Sequence, residues 1–271
     1  MNEFKINFQL QELDKIAPFG SEKALTLHWF GLTDGLLWIN AGSQTLYEYT
    51  EEAQNYFSHH VRYNDYQIAR FLEDFFGTFR YVGESIPKEL YNIINEFEVK
   101  VDDWKSHHLD DEDELFDQFY DNEYSKLIDW YCDRSFDSGH LVGGPNIGCF
   151  RCEDRIKIVW NSLSILENGG SIWVSPKGIF EISYDTFILS VTEFLNSFFV
   201  EMDNQVNNAV FKDWGDIFLD KKRLVSEHNE RKIDFYQKLS LLKNTQESSD
   251  WDQIMMIYAK MEKEMVSVTN L

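Results

Sequence analysis

Several places in this chain bring together side chains that could do chemistry. Cys149 and Cys152 form a C-x-x-C, the spacing of a zinc-ligand pair or a redox dithiol. Two adjacent histidine pairs, His59–His60 and His107–His108, raise the question of a metal, and the second lies beside Asp110, Asp111 and Asp113. The run "GGPNIG" (143–148) could cradle an anion through its backbone N–H groups. The run "LHWFGLTDGLLWI" (27–39) crowds His28, two tryptophans, Asp34 and two glycines together.

Each of these falls short of a chemical requirement. A zinc site needs a second cysteine or histidine pair, and only Cys132 and His140 are near in sequence. Neighbouring histidines point in different directions on a helix or strand, and the glycine-centred calcium loop is absent. "GGPNIG" has neither the lysine nor the following helix of a phosphate loop. Carboxylate pairs such as Glu73/Asp74 could do acid–base work if an apolar pocket raised one of them, but with 47 acids such pairs arise by chance. No nucleophile elbow, nucleotide loop or H-E-x-x-H is present. The expectation is a protein with no cofactor, no metal and no catalytic constellation.

The elements that would position these residues read as an α+β fold built on antiparallel sheet. Phe4, Ile6, Phe8 and Leu10 alternate with polar residues as a strand. "LTLHWFGL", the turn "TDG" and "LLWINAG" read as a hairpin, with "TLYEYT" as a further strand. Helical spacing then joins Tyr66, Ala69, Leu72, Phe75, Phe76 and Phe79. The order recurs in "RIKIVWNSLSI", "SIWVSP", "GIFEIS" and a helix beginning near Asp185. "FLEDFF" (71–76) and "FLNSFF" (194–199) match, Trp29 and Trp38 find counterparts in Trp160 and Trp173, and Gly42 finds one in Gly178. These features predict two pseudo-repeated strand–hairpin–strand–helix units, about 25–80 and 155–210, with the four tryptophans in the core. His28 then reads as a hydrogen-bonded strand residue.

The α+β domain is expected to span 1–213, with a helical acidic insert at 84–137. Residues 214–271 read as a C-terminal helical hairpin, its second helix capped by Ser249. That helix carries the stripe Trp251, Ile254, Met255, Tyr258, Met261 and Met265.

Composition narrows the function. The 271 residues are 43% hydrophobic and 16% aromatic, enough for a sizeable core. No apolar run reaches the ~20 residues of a membrane span, and the N-terminal stretch lacks the pattern of a signal peptide. With only three cysteines, these features suggest a soluble, cytoplasmic chain. The formal charge of −22 argues against nucleic acid and anionic membranes as partners. It is focused: within 96–123, twelve acids face only Lys100 and Lys105.

The runs "LHWFGLTDG" with a following "WI", "YxDYxxARFLEDFF" from Tyr63, "DSGHLVGGPNIGCFR", "IVW" and "FLNSFFVEMDNQV" together resemble a bacterial domain family of unknown function. The resemblance covers residues 4–210 and leaves the helical tail outside. Ser135 and Cys149 stand where that family favours an aromatic or histidine. The resemblance implies bacterial origin and a shared scaffold, and it brings no activity.

The acidic insert is therefore the expected working surface. Asp102, Asp103, Trp104, Asp110, Asp111, Glu112, Asp113, Glu114 and Asp117 combine charge with an aromatic anchor, as protein-binding hot spots do. A merely solvated helix face is the competing account. The function expected is a bacterial immunity protein that neutralises a basic toxin domain by occluding its site. The alternatives are an enzyme with a cleft between the two units and a structural subunit that docks through its C-terminal hairpin.

Overall fold

A computed structural model describes residues 3–21, 24–58, 61–109, 111–162, 164–245 and 247–269, with side chains as far as 266. His59, His60 and Asp110 lie outside the described residues. In chain order, β1 (Phe4–Leu10), β2 (Phe19–Ser21), β3 (Ala24–Thr26), β4 (Asp34–Ala41) and β5 (Gln44–Leu46) precede helix α1 (Glu51–Tyr56). Strand β6 (Asn64–Gln67) then runs into α2 (Ile68–Gly77) and α3 (Phe79–Val82). The middle is helical: α4 (Lys88–Asn92), α5 (Ile94–His108), α6 (Asp113–Phe119), a π-helical turn, and α7 (Ser125–Cys132). Strands β7 (Ser135–Phe136), β8 (Asn146–Cys152), β9 (Arg155–Asn161) and β10 (Lys177–Ser183) lead to α8 (Tyr184–Phe211), α9 (Lys221–Asn244) and α10 (Trp251–Thr269).

The fold is α+β with antiparallel sheets. In the first sheet β1 pairs with β4 along its whole length, from Phe4↔Ala41 to Leu10↔Gly35. Its other edge is shared, β6 taking residues 34–37 and β5 residues 39–41. The second sheet is a meander in the order β10-β9-β8-β7. Each unit therefore carries its own sheet, and the strand orders differ. The hexads do meet, with the Phe71 and Phe194 rings 6.1 Å apart.

The expected hairpin at "TDG" does not form. Strand β3 ends at Thr26, and residues 27–33 turn inward to bury Trp29 and Leu32 completely. Asp34 and Gly35 open β4 instead. A Cβ on Gly35 would lie 2.3 Å from the Gln9 carbonyl oxygen, so glycine permits the close strand contact. Trp29 thus sits on a turn while Trp160 sits on a strand, and they are not equivalent. Trp29, Trp160 and Trp173 are buried, whereas Trp38 is half-buried and stacks on Tyr63 at 4.3 Å. His28 is exposed on the turn, stacked on Phe19.

Two apolar cores result, and the second sheet divides them. Alternate residues of a strand face opposite ways. Ile147 and Cys149 of β8 face the first core, with α2, α8 and α9, while Phe150 and Cys152 face the second, with α5, α7 and α10. The C-x-x-C spacing is odd, so the two thiols point apart and form no pair.

The same division separates the C-terminal helices. Leu224, Phe235 and Leu242 of α9 belong to the first core, whereas Ile254, Ile257 and Met261 of α10 belong to the second. The C-terminal helical pair thus completes both cores, and its apolar stripes are used internally. Asp250, not Ser249, caps α10, its Oδ1 accepting the Gln253 N–H at 3.0 Å.

Ser249 instead joins a buried junction. Its N–H and hydroxyl donate to Glu84, as does the Trp251 indole at 2.8 Å. The same carboxylate pairs with Arg134, whose side chain is fully buried. Replacing Glu84 by alanine leaves that guanidinium buried and unpaired, so Glu84→Ala is expected to lose about 3–5 kcal/mol of unfolding free energy. Urea denaturation measures this, and a loss below about 1 kcal/mol would show the junction to be dispensable.

Candidate functional site

The acidic insert folds as a corner of helices with an apolar inside. Phe97, Val101 and Trp104 of α5 recur at three- and four-residue intervals and are buried. Short helix α6 begins with Asp113 and Glu114, acids that suit the positive end of a helix dipole. It is anchored by Phe119, whose ring stacks on His108 at 3.9 Å and meets the Trp104 ring edge-on at 4.8 Å.

Trp104 therefore lies inside the molecule, 1% exposed, with its indole N–H donating to Glu264 of α10 at 2.7 Å. It cannot offer its ring to a partner, because the helical spacing that placed it among acids also placed it on the inward stripe. The apolar groups left outside are Val99, Leu109, Leu115 and Tyr120, the last two on the α6 side.

The carboxylates do face solvent. Asp102, Asp103, Asp111, Glu112, Asp113, Glu114 and Asp117 are all exposed. Two are tied down: Asp102 accepts from the Tyr124 hydroxyl at 3.1 Å, and Asp111 lies 3.0 Å from His108 Nδ1. Among the described residues, Asp103, Glu112, Asp113, Glu114 and Asp117 have no ion-pair partner. Of the nearby lysines, Lys260 pairs with Glu123 and Lys100 with Glu262, while Lys105 lies over the Tyr120 and Tyr124 rings. The surface is a set of negative charges without ion-pair partners among the described residues, on a packed corner, able to attract cations and donors.

The other residues that suggested chemistry are accounted for structurally. Burial pushes the Cys149 thiol up to about 12. His107 Nδ1 contacts the Asp103 carbonyl at 2.7 Å, while His108 turns toward Asp111 and Glu264, so the pair does not converge. In "GGPNIG" the Gly143 carbonyl accepts from the Trp173 indole and the Ser162 hydroxyl. The last residues of that run belong to β8. Among the described residues no group of three or more His, Cys, Asp or Glu is placed to hold a metal, and no helix is long and apolar enough to cross a membrane.

Two polar clusters were not visible from sequence. One is a cleft of about 470 Å³ where α2 and α3 face the α7–β7 corner, lined by Arg70, Glu73, Asp74, Arg80, Asp133 and Asp137. Burial raises the carboxyls of both Asp74 and Asp133; at Asp74 it outweighs Arg70, whose Nε lies 2.9 Å away. "FLEDFF" and "CDRSFD" announce acids, but nothing local says that they face each other. The other is a relay in which the Trp29 indole N–H donates to His228 Nδ1 at 3.0 Å and His228 Nε2 meets Asp203 at 2.7 Å. Because Nδ1 accepts, the proton sits on Nε2 and is donated to Asp203. Asp203 is held in turn by the Lys232 ammonium at 2.8 Å.

The family model described as a family of unknown function (DUF5984) matches residues 5–256, and the chain belongs to that family. The match takes in α9 and the start of α10, which the resemblance of the sequence motifs had left outside. No curated protein and no solved structure matches.

The cleft yields a pH prediction. Asp74 in the unfolded chain releases its proton near the ordinary value of 3.8, and in the fold it releases it higher. Across that window the native state holds more protons, so rising pH lowers stability. Asp74→Asn removes the titration: relative to the wild type, the variant is expected to gain stability as pH rises through the window. Denaturation at several pH values checks this, and a flat difference or one of opposite sign would refute it.

Proposed function

We propose that this DUF5984 member is a binding protein that works in the cytoplasm, in the manner of a bacterial immunity protein. It holds a basic toxin domain against the carboxylates of residues 111–117 and the adjoining face of α5. The observation that carries this reading is the set Asp103, Glu112, Asp113, Glu114 and Asp117, exposed and without cationic partners among the described residues. A toxin that attacks nucleic acid must present basic groups to phosphate, and a carboxylate surface competes for those groups. The two fields steer encounter and raise the association rate. Leu115 and Tyr120, exposed beside the acids, supply the apolar contact that charge alone does not give. The inhibitor occludes the toxin's site and performs no reaction.

The test begins with affinity purification at low salt from the organism of origin and identification of a stoichiometric co-eluting protein. Association kinetics with that partner are then followed across salt concentrations. The combined variant Asp113→Asn, Glu114→Gln, Asp117→Asn is expected to slow association and flatten its salt dependence. Its stability should shift by no more than about 0.5 kcal/mol, as for surface positions generally. Unchanged association would reject the acidic face as the docking site. A second reading, an enzyme working in the cleft between α2 and the α7–β7 corner, draws on the raised carboxyls of Asp74 and Asp133.

A further inference from the structure

A preformed bowl of about 440 Å³ lies at the other end of the chain's charge distribution, between the turn after β3 and the first turns of α9. Its apolar wall is Leu27, Trp29, Phe30, Phe218 and Leu224. Phe218 is 66% exposed, yet its backbone is fixed. Its N–H donates to the Leu25 carbonyl at 2.9 Å, and its carbonyl accepts from the Leu27 N–H at 3.0 Å. These two backbone hydrogen bonds fix where the Phe218 ring is rooted at the rim of the bowl. The volume is in the range of small-molecule sites, about 300–1,000 Å³.

The charges around the bowl are unevenly satisfied. Arg223, Glu227 and Arg231 follow at four-residue steps, so α9 presents them as one row along the bowl. Arg231 lies over the Trp29 ring at 4.5 Å and takes two carboxylates, Glu227 at 2.9 Å and Glu73 at 2.6 Å. Asp220 is occupied as the helix cap, accepting the backbone N–H of Arg223 at 3.0 Å. Glu227 could have reached either arginine, and it is committed to Arg231. The Arg223 guanidinium is left exposed at the rim with no carboxylate partner among the described residues.

We propose that this bowl binds a small amphipathic carboxylate. Its apolar body, an aromatic ring or short acyl chain, lies against Phe30 and Phe218, and its carboxylate pairs with Arg223. A cationic head is disfavoured, because Asp220 and Glu227 already have partners while Arg223 has none. A planar guanidinium also matches a carboxylate through paired N–H donors. The site is separate from the acidic corner and does not depend on it.

Isothermal titration of the full chain with 2-naphthoate, and in parallel with the uncharged 2-naphthylmethanol, tests the assignment. Saturable one-to-one binding of the acid is expected, weaker binding of the alcohol, and a loss of about tenfold for the acid in Arg223→Gln, the scale of one charged hydrogen bond. The alcohol should bind Arg223→Gln as it binds the wild type, and Phe218→Ala should weaken both probes. Both side chains are exposed, so neither change should unfold the chain. Absence of saturable binding by the acid, or equal affinity of the acid for the wild type and Arg223→Gln, would overturn the proposal.

Discussion

Glu84 and Arg134 meet where three separate stretches of chain cross. Glu84 lies in the link between α3 and α4, Arg134 follows α7, and Ser249 and Trp251 stand at the entry to α10. Burial alone would pull the Arg134 guanidinium down, and Glu84 is the first of the charges opposing this. Both oxygens of Glu84 are in use, one toward Arg134 and the Ser249 hydroxyl, the other toward the Ser249 N–H and the Trp251 indole. A buried pair of this kind adds little over an apolar substitute, but it is costly to half-fill. It therefore specifies where α10 enters the molecule, and with it which core that helix completes.

The two-core plan follows from that junction and from strand alternation. The link carrying Glu84 runs beside β8, with Ser85 bridged to Arg151 and the Ile86 N–H donating to the Arg151 carbonyl. From there α4 and α5 pack on the far face of the second sheet, and α10 closes the helical layer against α5 and α7. The acidic insert is thus not an appendage. Its charges stand on a layer whose inside is Phe97, Trp104, Phe119 and Trp130. A rigid base matters for either reading of the acids, since ordering a loose segment on binding would cost affinity.

Charge is distributed by the same architecture. Lys260 of α10 and Lys100 of α5 pair with Glu123 and Glu262, which leaves the exposed acids of α6 without a cation of their own. At the start of α9 the reverse holds, because Arg231 collects two carboxylates and Arg223 none. Within a net charge of −22, the bowl thus keeps one arginine without a carboxylate among the described residues.

Residue type and spacing alone determined the α+β class, the phenylalanine faces of α2 and α8, the burial of Trp29, Trp160 and Trp173, and the focusing of acid in the insert. These are local properties: a 3.6-residue or two-residue period states which face is apolar, and composition states where charge accumulates. Only the tertiary structure decided what each face meets. It turned "LHWFGLTDG" inward rather than back on itself, because burying Trp29 and Leu32 took precedence over a hairpin turn. It put Trp104 inside among acids, sent the thiols of the C-x-x-C to opposite cores, and divided α9 from α10. The Asp74 cleft, the His228 relay and the Arg223 bowl likewise join residues far apart in the chain. Periodicity carries no information about such pairings, since long-range contacts are chosen by competition among all the apolar faces at once.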